Sequence, residues 1–60
     1  MGWTKVQKII SKRKITIAEL ARLSGVNENT LRNYKKGHEP TFGNMVKIAD
    51  ALGVSLDDFR

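Results

Sequence analysis

Apolar residues recur along this chain every three or four positions, the spacing that places them on one face of a helix. The pattern predicts a first helix from Trp3 to about Arg13, and a later helix that Gly53 ends. The apolar positions are Val6, Ile9 and Ile10, with Trp3 as a further member, in the first helix, and Phe42, Met45, Val46, Ile48, Ala49 and Leu52 in the later one. The later set fits a helical period better than a strand alternation, so we expect an all-α protein.

Residues 17–36 are predicted to form two shorter amphipathic helices joined by a turn at Gly25. Thr16 and Glu19 have the spacing of a capping box, which fixes where the first of them begins. Gly25 stands where the chain reverses and a positive φ is cheap, and the small Ala21 lets two helices cross closely. The inward residues are predicted to be Leu20, Ala21 and Leu23, then Val26, Leu31 and Tyr34.

The remaining helix boundaries follow from capping residues. The third helix is predicted to begin after Asn27 as its N-cap and to end near Lys36, and Thr41 is predicted to cap the fourth. A last short helix starts at Ser55. The sequence thus predicts one compact domain over residues 1–60, with four or five helices.

Charge is distributed unevenly along the 60 residues, whose net charge is +5. Residues 1–36 hold nine basic and two acidic side chains, a balance of +7, whereas residues 37–60 hold two and four, a balance of −2. A strongly basic half that contains a two-helix motif is typical of a protein that binds a polyanion. A solvated lysine face is the alternative explanation.

The sequence contains little that favours catalysis, a metal site or a membrane. There is no cysteine, and His38 is the only histidine, so we expect no metal, no cofactor and no enzymatic activity. Asp57 and Asp58 are adjacent and diverge on a helix, where capping explains them better. There is no signal-peptide pattern and no apolar run near the roughly 20 residues that span a bilayer. We therefore expect a cytoplasmic, nucleoid-associated protein.

The outward face of the third helix is the candidate base-reading surface. In a helix-turn-helix the second helix of the motif enters the major groove, and residues near its N-terminus contact base edges. These residues are Glu28, Asn29, Arg32 and Asn33. Asparagine pairs with adenine and arginine with guanine, each worth roughly 1 to 3 kcal/mol of discrimination. For Glu28 two roles are open: accepting a hydrogen bond from cytosine and capping the helix.

Phosphate contacts are predicted for groups that flank this helix. They are Asn27, Lys35 and Lys36, together with Thr41, Phe42 and Gly43 at the N-terminus of the fourth helix, where free backbone amides can bind phosphate. The side chains of Phe42 and Met45 are predicted to lie in the core. The helix dipole suffices to explain residues 12–14, a basic run at the end of the first helix, and contact with DNA is a further option for them.

Residues 15–59 resemble the Cro and phage-repressor-like helix-turn-helix family, also called the xenobiotic-response-element type. The resemblance is carried by Leu20, Ala21, Gly25, Val26 and Leu31, by the loop 37–40, by Ile48, Ala49, Leu52 and Gly53, and by Val54, Ser55 and Leu56. It implies a lambda-repressor-like domain of four or five helices that binds operator DNA as a dimer. It also implies base contacts from the same four residues of the third helix.

The chain departs in two respects from the pattern that this resemblance implies. Members often begin the second helix with a glutamine that touches the DNA backbone, whereas this chain has Ile17. Many members also pair an arginine in the first helix with a glutamate late in the third, and Ile10 and Lys35 stand at those positions here. Losing both partners leaves no orphan charge, and Lys35 becomes available to phosphate.

The sequence therefore favours a sequence-specific regulator of transcription, expected to be a repressor, that binds double-stranded DNA as a homodimer. Leu56 and Phe59 are the predicted dimer interface, although the same residues could instead close the core. The alternative function is a protein-interaction module of the same fold, an antitoxin or a bridging factor with secondary DNA contact. Glu28 and Ile17 favour that alternative.

Overall fold

The computed structural model describes residues 2–59, and within them all regular secondary structure is helical. The elements are α1 (Trp3–Arg13), α2 (Ile17–Ser24), α3 (Glu28–Lys35), α4 (Phe42–Leu52) and a C-terminal 3-10 helix (Leu56–Phe59). The all-α prediction is confirmed. The helix boundaries agree with the predicted ones, and the last short helix is a single 3-10 turn.

Helix α1 presents one apolar face to the core and ends without a glycine. Val6 and Ile10 are buried. At the end of the helix Lys14 has a φ of 58°, in the left-handed region that non-glycine residues seldom adopt. The turn is closed by the N–H of Lys14, which donates to the carbonyl of Ser11 (3.2 Å), and by that of Ile15, which donates to the carbonyl of Ile10 (2.8 Å). Two backbone hydrogen bonds thus stabilise this turn, with Lys14 at the position that glycine usually occupies.

Helix α2 begins with the predicted capping box. The hydroxyl of Thr16 accepts from the N–H of Glu19 (3.1 Å), and the carboxylate of Glu19 accepts from the N–H of Thr16 (3.0 Å). Gly25 has the predicted positive φ, at 75°. The prediction for Leu23 is wrong, because its side chain is 54% exposed. In α2 Leu20 is buried, Ala21 and Ser24 are partly buried, and the Ser24 hydroxyl donates to the carbonyl of Leu20.

Helix α3 is held against the core by the apolar side chains that the sequence pattern predicted to point inward. Val26, Leu31 and Tyr34 are all buried. The side-chain oxygen of Asn27 accepts from the N–H of Asn29 (2.8 Å), which is the predicted N-cap. Because α3 has only eight residues, its stability depends on this buried face rather than on its own hydrogen bonds.

Helix α4 supplies the largest share of the core. The Thr41 hydroxyl caps it by accepting from the N–H of Asn44 (3.2 Å), and Met45 is buried as predicted. The core prediction for Phe42 is wrong, because its side chain is 61% exposed. Side chains in a helix lean toward its N-terminus. The ring of Phe42, the first residue of α4, therefore extends beyond the part of the helix that packs against the core.

The core of the described residues contains apolar side chains and Tyr34, and no charged group is buried in it. Helix α2 packs against both α3 and α4, and the 3-10 helix packs against α1 and α4. Phe59 is 1% exposed, and Leu56 is partly buried against the core. Of the two roles open for these residues, the structure supports closure of the core for Phe59.

A cation from α1 also stabilises the end of α4. The guanidinium of Arg13 donates from Nη1 to the backbone carbonyl of Leu52 at 2.6 Å. That carbonyl belongs to the last turn of α4, where carbonyl groups lack partners within the helix and a positive charge is favourable. The dipole argument for the basic run at residues 12–14 accounts for α1 alone and misses this contact.

Replacing Arg13 should destabilise the fold more than replacing its neighbour. We expect Arg13→Ala to lower the free energy of unfolding by about 1 kcal/mol, since the carbonyl of Leu52 loses a charged donor. Lys12→Ala is the matched control, because it removes a cation from the same last turn of α1. Urea denaturation of the three proteins measures the difference, and equal losses for both variants would contradict this role for Arg13.

The capping box of α2 should make stability depend on pH. The hydrogen bond from the backbone N–H of Thr16, and next the contact with its hydroxyl, lower the pKa of the Glu19 carboxyl. A carboxyl with a lowered pKa contributes stability above its ordinary pKa and loses that contribution as the pH falls through the folded-state value. Glu19→Gln should therefore be less stable than the parent at neutral pH, with the difference vanishing in acid.

Thermal unfolding between pH 7 and pH 3 measures this effect. Asp50→Asn is the control, since it neutralises an exposed carboxyl on α4 that is outside any capping box. A difference in melting temperature between Glu19→Gln and the parent that stays constant across the range would show that the charge of Glu19 contributes nothing.

Candidate nucleic-acid interface

The four predicted base-reading residues all lie on the part of α3 that faces away from the core. Asn29, Arg32 and Asn33 are exposed, and Glu28 is partly exposed. Arg32 and Asn33 lie three and four positions after Asn29, so their side chains lie on the same side of the helix as that of Asn29. The structure brings these polar groups together on one surface, as the sequence pattern predicted for them.

A hydrogen bond of Tyr34 fixes the orientation of this surface. The phenolic oxygen accepts from the side-chain amide of Asn44, on α4, at 2.7 Å. The Tyr34 ring also contacts the ring of Trp3, on α1, with centroids 6.1 Å apart and planes tilted by 54°. Helix α3 is thus tied to α1 and to α4 through one residue. Sequence reasoning identified Tyr34 as core and missed both partners, which are distant along the chain.

Glu28 and Arg32 form an ion pair across one turn of α3. The guanidinium donates to Oε2 of Glu28 from Nη2 at 2.6 Å and from Nε at 3.1 Å. The two roles considered for Glu28, reading cytosine and capping the helix, do not include this contact. The i,i+4 spacing of Glu28 and Arg32 on one helix is the sequence signal that could have predicted it. Because both side chains are about half exposed, the pair adds little to stability.

The groups that flank α3 remain available to an anion. The side-chain oxygen of Asn27 is used by the cap, which leaves its amide N–H groups as the donors that could contact phosphate. Lys35 and Lys36 are exposed at the other end of the helix. Lys35 lines an open groove together with Lys8 of α1, so the basic surface continues from α3 onto α1.

The N-terminus of α4 adds two backbone donors. The N–H groups of Phe42 and Gly43 lie in the first turn of the helix and bond to no acceptor among the described residues. Thr41 uses its hydroxyl to accept from the N–H of Asn44. The contact between Asn44 and Tyr34 joins this helix terminus to α3, so the two groups of predicted phosphate contacts lie on elements that are connected directly.

The two departures from the family pattern are accommodated without a buried charge. Ile17 is partly buried and packs against the core, and Ile10 is 2% exposed. Lys35 is exposed, so an apolar contact and a surface cation stand here where many members have a pair of arginine and glutamate.

Residues 2–59 contain no group of three or more metal-ligating side chains that could hold a metal ion. None of the helices in that range has both the length and the apolar character that crossing a membrane requires.

Two short helices joined by the turn 25–27, the second of them with a buried inner face and a polar outer face, define a helix-turn-helix protein. A family model described as Helix-turn-helix matches residues 6–59, and the chain belongs to that family, the Cro and phage-repressor-like one. Its members are DNA-binding regulators and are typically not enzymes. Comparisons with curated proteins and with solved structures found no significant match.

Proposed function

We propose that this protein binds double-stranded DNA in a sequence-specific manner and acts as a repressor of transcription. The observation that carries the proposal is the geometry of α3: a polar outer face with Asn29, Arg32 and Asn33 stands over a fully buried inner face. In this class of protein such a helix enters the major groove. The proposed setting is the nucleoid, in the cytoplasm.

Base recognition is assigned to the outer face of α3. Asn29 and Asn33 carry amides that can donate to and accept from adenine, and Arg32 carries a fork that fits guanine. Glu28, the fourth residue that the sequence predicted to read bases, contacts Arg32 in the free protein. The rigid attachment of Tyr34 supports this assignment, because side chains must be held within a fraction of an ångström to discriminate between bases.

Phosphate contacts are assigned to both flanks of the reading helix. They come from Asn27, Lys35 and Lys36 on one side and from Thr41, Phe42 and Gly43 on the other, through the backbone amides of the last two. These groups carry no sequence information, but they fix the register of the protein on the duplex. The basic balance of the first 36 residues supports the proposal, because it attracts any duplex before a specific site is found.

We further propose that the protein binds as a homodimer to an operator with two-fold symmetry. Half-sites in such operators lie about one helical turn, roughly 34 Å, apart. Leu56 is the member of the predicted interface that is still partly accessible, since the ring of Phe59 lies in the core.

The alternative function, a protein-interaction module of the same fold, has one structural observation in its favour. Leu23 and Phe42 are large apolar side chains that are more than half exposed. Such side chains can contact a protein partner, although single exposed apolar residues are common on ordinary surfaces. Salt dependence separates the two functions, because only neutralisation of phosphates makes affinity for duplex DNA fall steeply with salt.

Substitutions on α3 should separate base contacts from phosphate contacts. After a duplex has been selected from a random library at stated salt, we expect Asn29→Ala and Arg32→Ala to lose roughly 1 to 3 kcal/mol of discrimination at one or two base pairs. Lys36→Ala should weaken binding to selected and random duplexes alike and reduce the salt slope by about one. Lys47→Ala, an exposed cation on α4, is the control.

Fluorescence anisotropy over a series of salt concentrations measures both quantities. Equal losses of affinity on selected and random DNA for Asn29→Ala, Arg32→Ala and Lys36→Ala would contradict the assigned roles. Affinity that does not change with salt, or no binding at low salt, would favour the protein-interaction module.

The dimer should be visible in solution on the selected duplex. Sedimentation of the complex is expected to give two protein chains per symmetric duplex, and Leu56→Ala should lower that stoichiometry without reducing binding to a half-site. Leu23→Ala is the control, because it alters an exposed leucine on α2, outside the predicted interface. A monomer at high concentration, with and without DNA, would rule out the homodimer.

A further inference from the structure

The guanidinium of Arg32 is held on one side only. Its Nε and Nη2 both donate to the same oxygen, Oε2 of Glu28, at 3.1 and 2.6 Å. The opposite edge of the guanidinium, which includes Nη1, bonds to no acceptor among the described residues, and Oε1 of Glu28 is likewise unused there. The ion pair therefore fixes the direction of the side chain and leaves one donor edge open.

An open donor edge matches guanine better than it matches phosphate in this setting. Guanine presents two acceptors, O6 and N7, in the major groove, and an arginine fork binds both at once. A phosphate also binds arginine, in any sequence, but it carries a full negative charge. The carboxylate of Glu28 lies 2.6 Å from the same guanidinium, so a phosphate that approached Arg32 would also be repelled by Glu28.

We propose that Glu28 is a specificity-determining residue that acts through Arg32: it holds the guanidinium for guanine and keeps it from binding phosphate. The inference rests on the proposed DNA-binding function and adds to it. Glu28 then contributes little attraction to DNA itself, and its effect lies in the ratio between selected and random duplexes. In this role it is a positioning residue, distinct from a direct reader of cytosine.

Two substitutions separate the effect of the charge of Glu28 from the effect of the length of its side chain. Glu28→Gln removes the charge and keeps an acceptor oxygen, whereas Glu28→Asp keeps the charge on a side chain one methylene shorter. Asp50→Asn is the matched control, since it changes net charge by the same amount on an exposed position of α4. Circular dichroism is recorded for each variant to compare its helical content with that of the parent.

Affinities are measured on the selected and random duplexes over a range of salt. For Glu28→Gln we expect affinity for random DNA to rise roughly two- to fivefold, with a salt slope steeper by about one, as Arg32 gains a phosphate. Affinity for the selected duplex should change less, so discrimination falls. For Glu28→Asp we expect discrimination to fall at the guanine that Arg32 contacts, without the rise on random DNA.

Two results would overturn the inference while the proposed function stands. One is a Glu28→Gln protein that behaves as Asp50→Asn does on both duplexes. The other is loss of discrimination at a base pair that Arg32→Ala leaves unaffected, which would mean that Glu28 reads a base directly. If the parent protein itself binds selected and random DNA equally, the proposed function fails and the inference fails with it.

A measurement without DNA tests the pairing independently. In the free protein, the Nε–H proton of Arg32 should exchange with water more slowly than the Nε–H of the exposed Arg22, and Glu28→Ala, which removes the acceptor oxygen, should remove the difference. Equal exchange rates in the parent protein would show that Glu28 does not hold the guanidinium, whatever the DNA measurements give.

Discussion

Burial of Val26 and of the inner face of α3, which consists of Leu31 and Tyr34, is the interaction on which the rest of this structure depends. A helix of eight residues is marginal in water because nucleation costs more than so few hydrogen bonds return. Its conformation and direction are therefore set by the apolar face that it buries against α2 and its other neighbours. The polar side chains on the outer face take their positions from contacts that they do not make themselves.

Tyr34 extends this constraint from the core to the two ends of the candidate interface. Its ring belongs to the buried face, and its hydroxyl accepts from Asn44, whose backbone N–H bonds to the Thr41 hydroxyl that caps α4. One chain of contacts thus joins the reading face of α3 to the free amides at the start of α4.

The features that could be predicted from the sequence are those with local causes. The capping residues Thr16 and Asn27 and the glycine turn at Gly25 each act within three or four positions, and all are confirmed. The errors, at Leu23 and Phe42, are cases in which helical period identified an apolar residue but could not say where the packed stripe ends. The bonds from Arg13 to Leu52 and from Asn44 to Tyr34 were missed because they join residues far apart in sequence. The assignment of base and phosphate contacts stays a prediction.

Under the proposed function, attraction and discrimination come from different residues of the candidate interface. Within α3, the carboxylate of Glu28 offsets Arg32, the cation nearest the predicted base edges. Further positive charge lies at the C-terminal end of α3, on the exposed Lys35 and Lys36, and continues onto α1 through the exposed Lys8. Cations at the flanks attract phosphate in any sequence, so a free cation at the centre would add affinity without adding selectivity. An acidic residue on a DNA-reading helix, which at first argues against that function, is in this arrangement consistent with it.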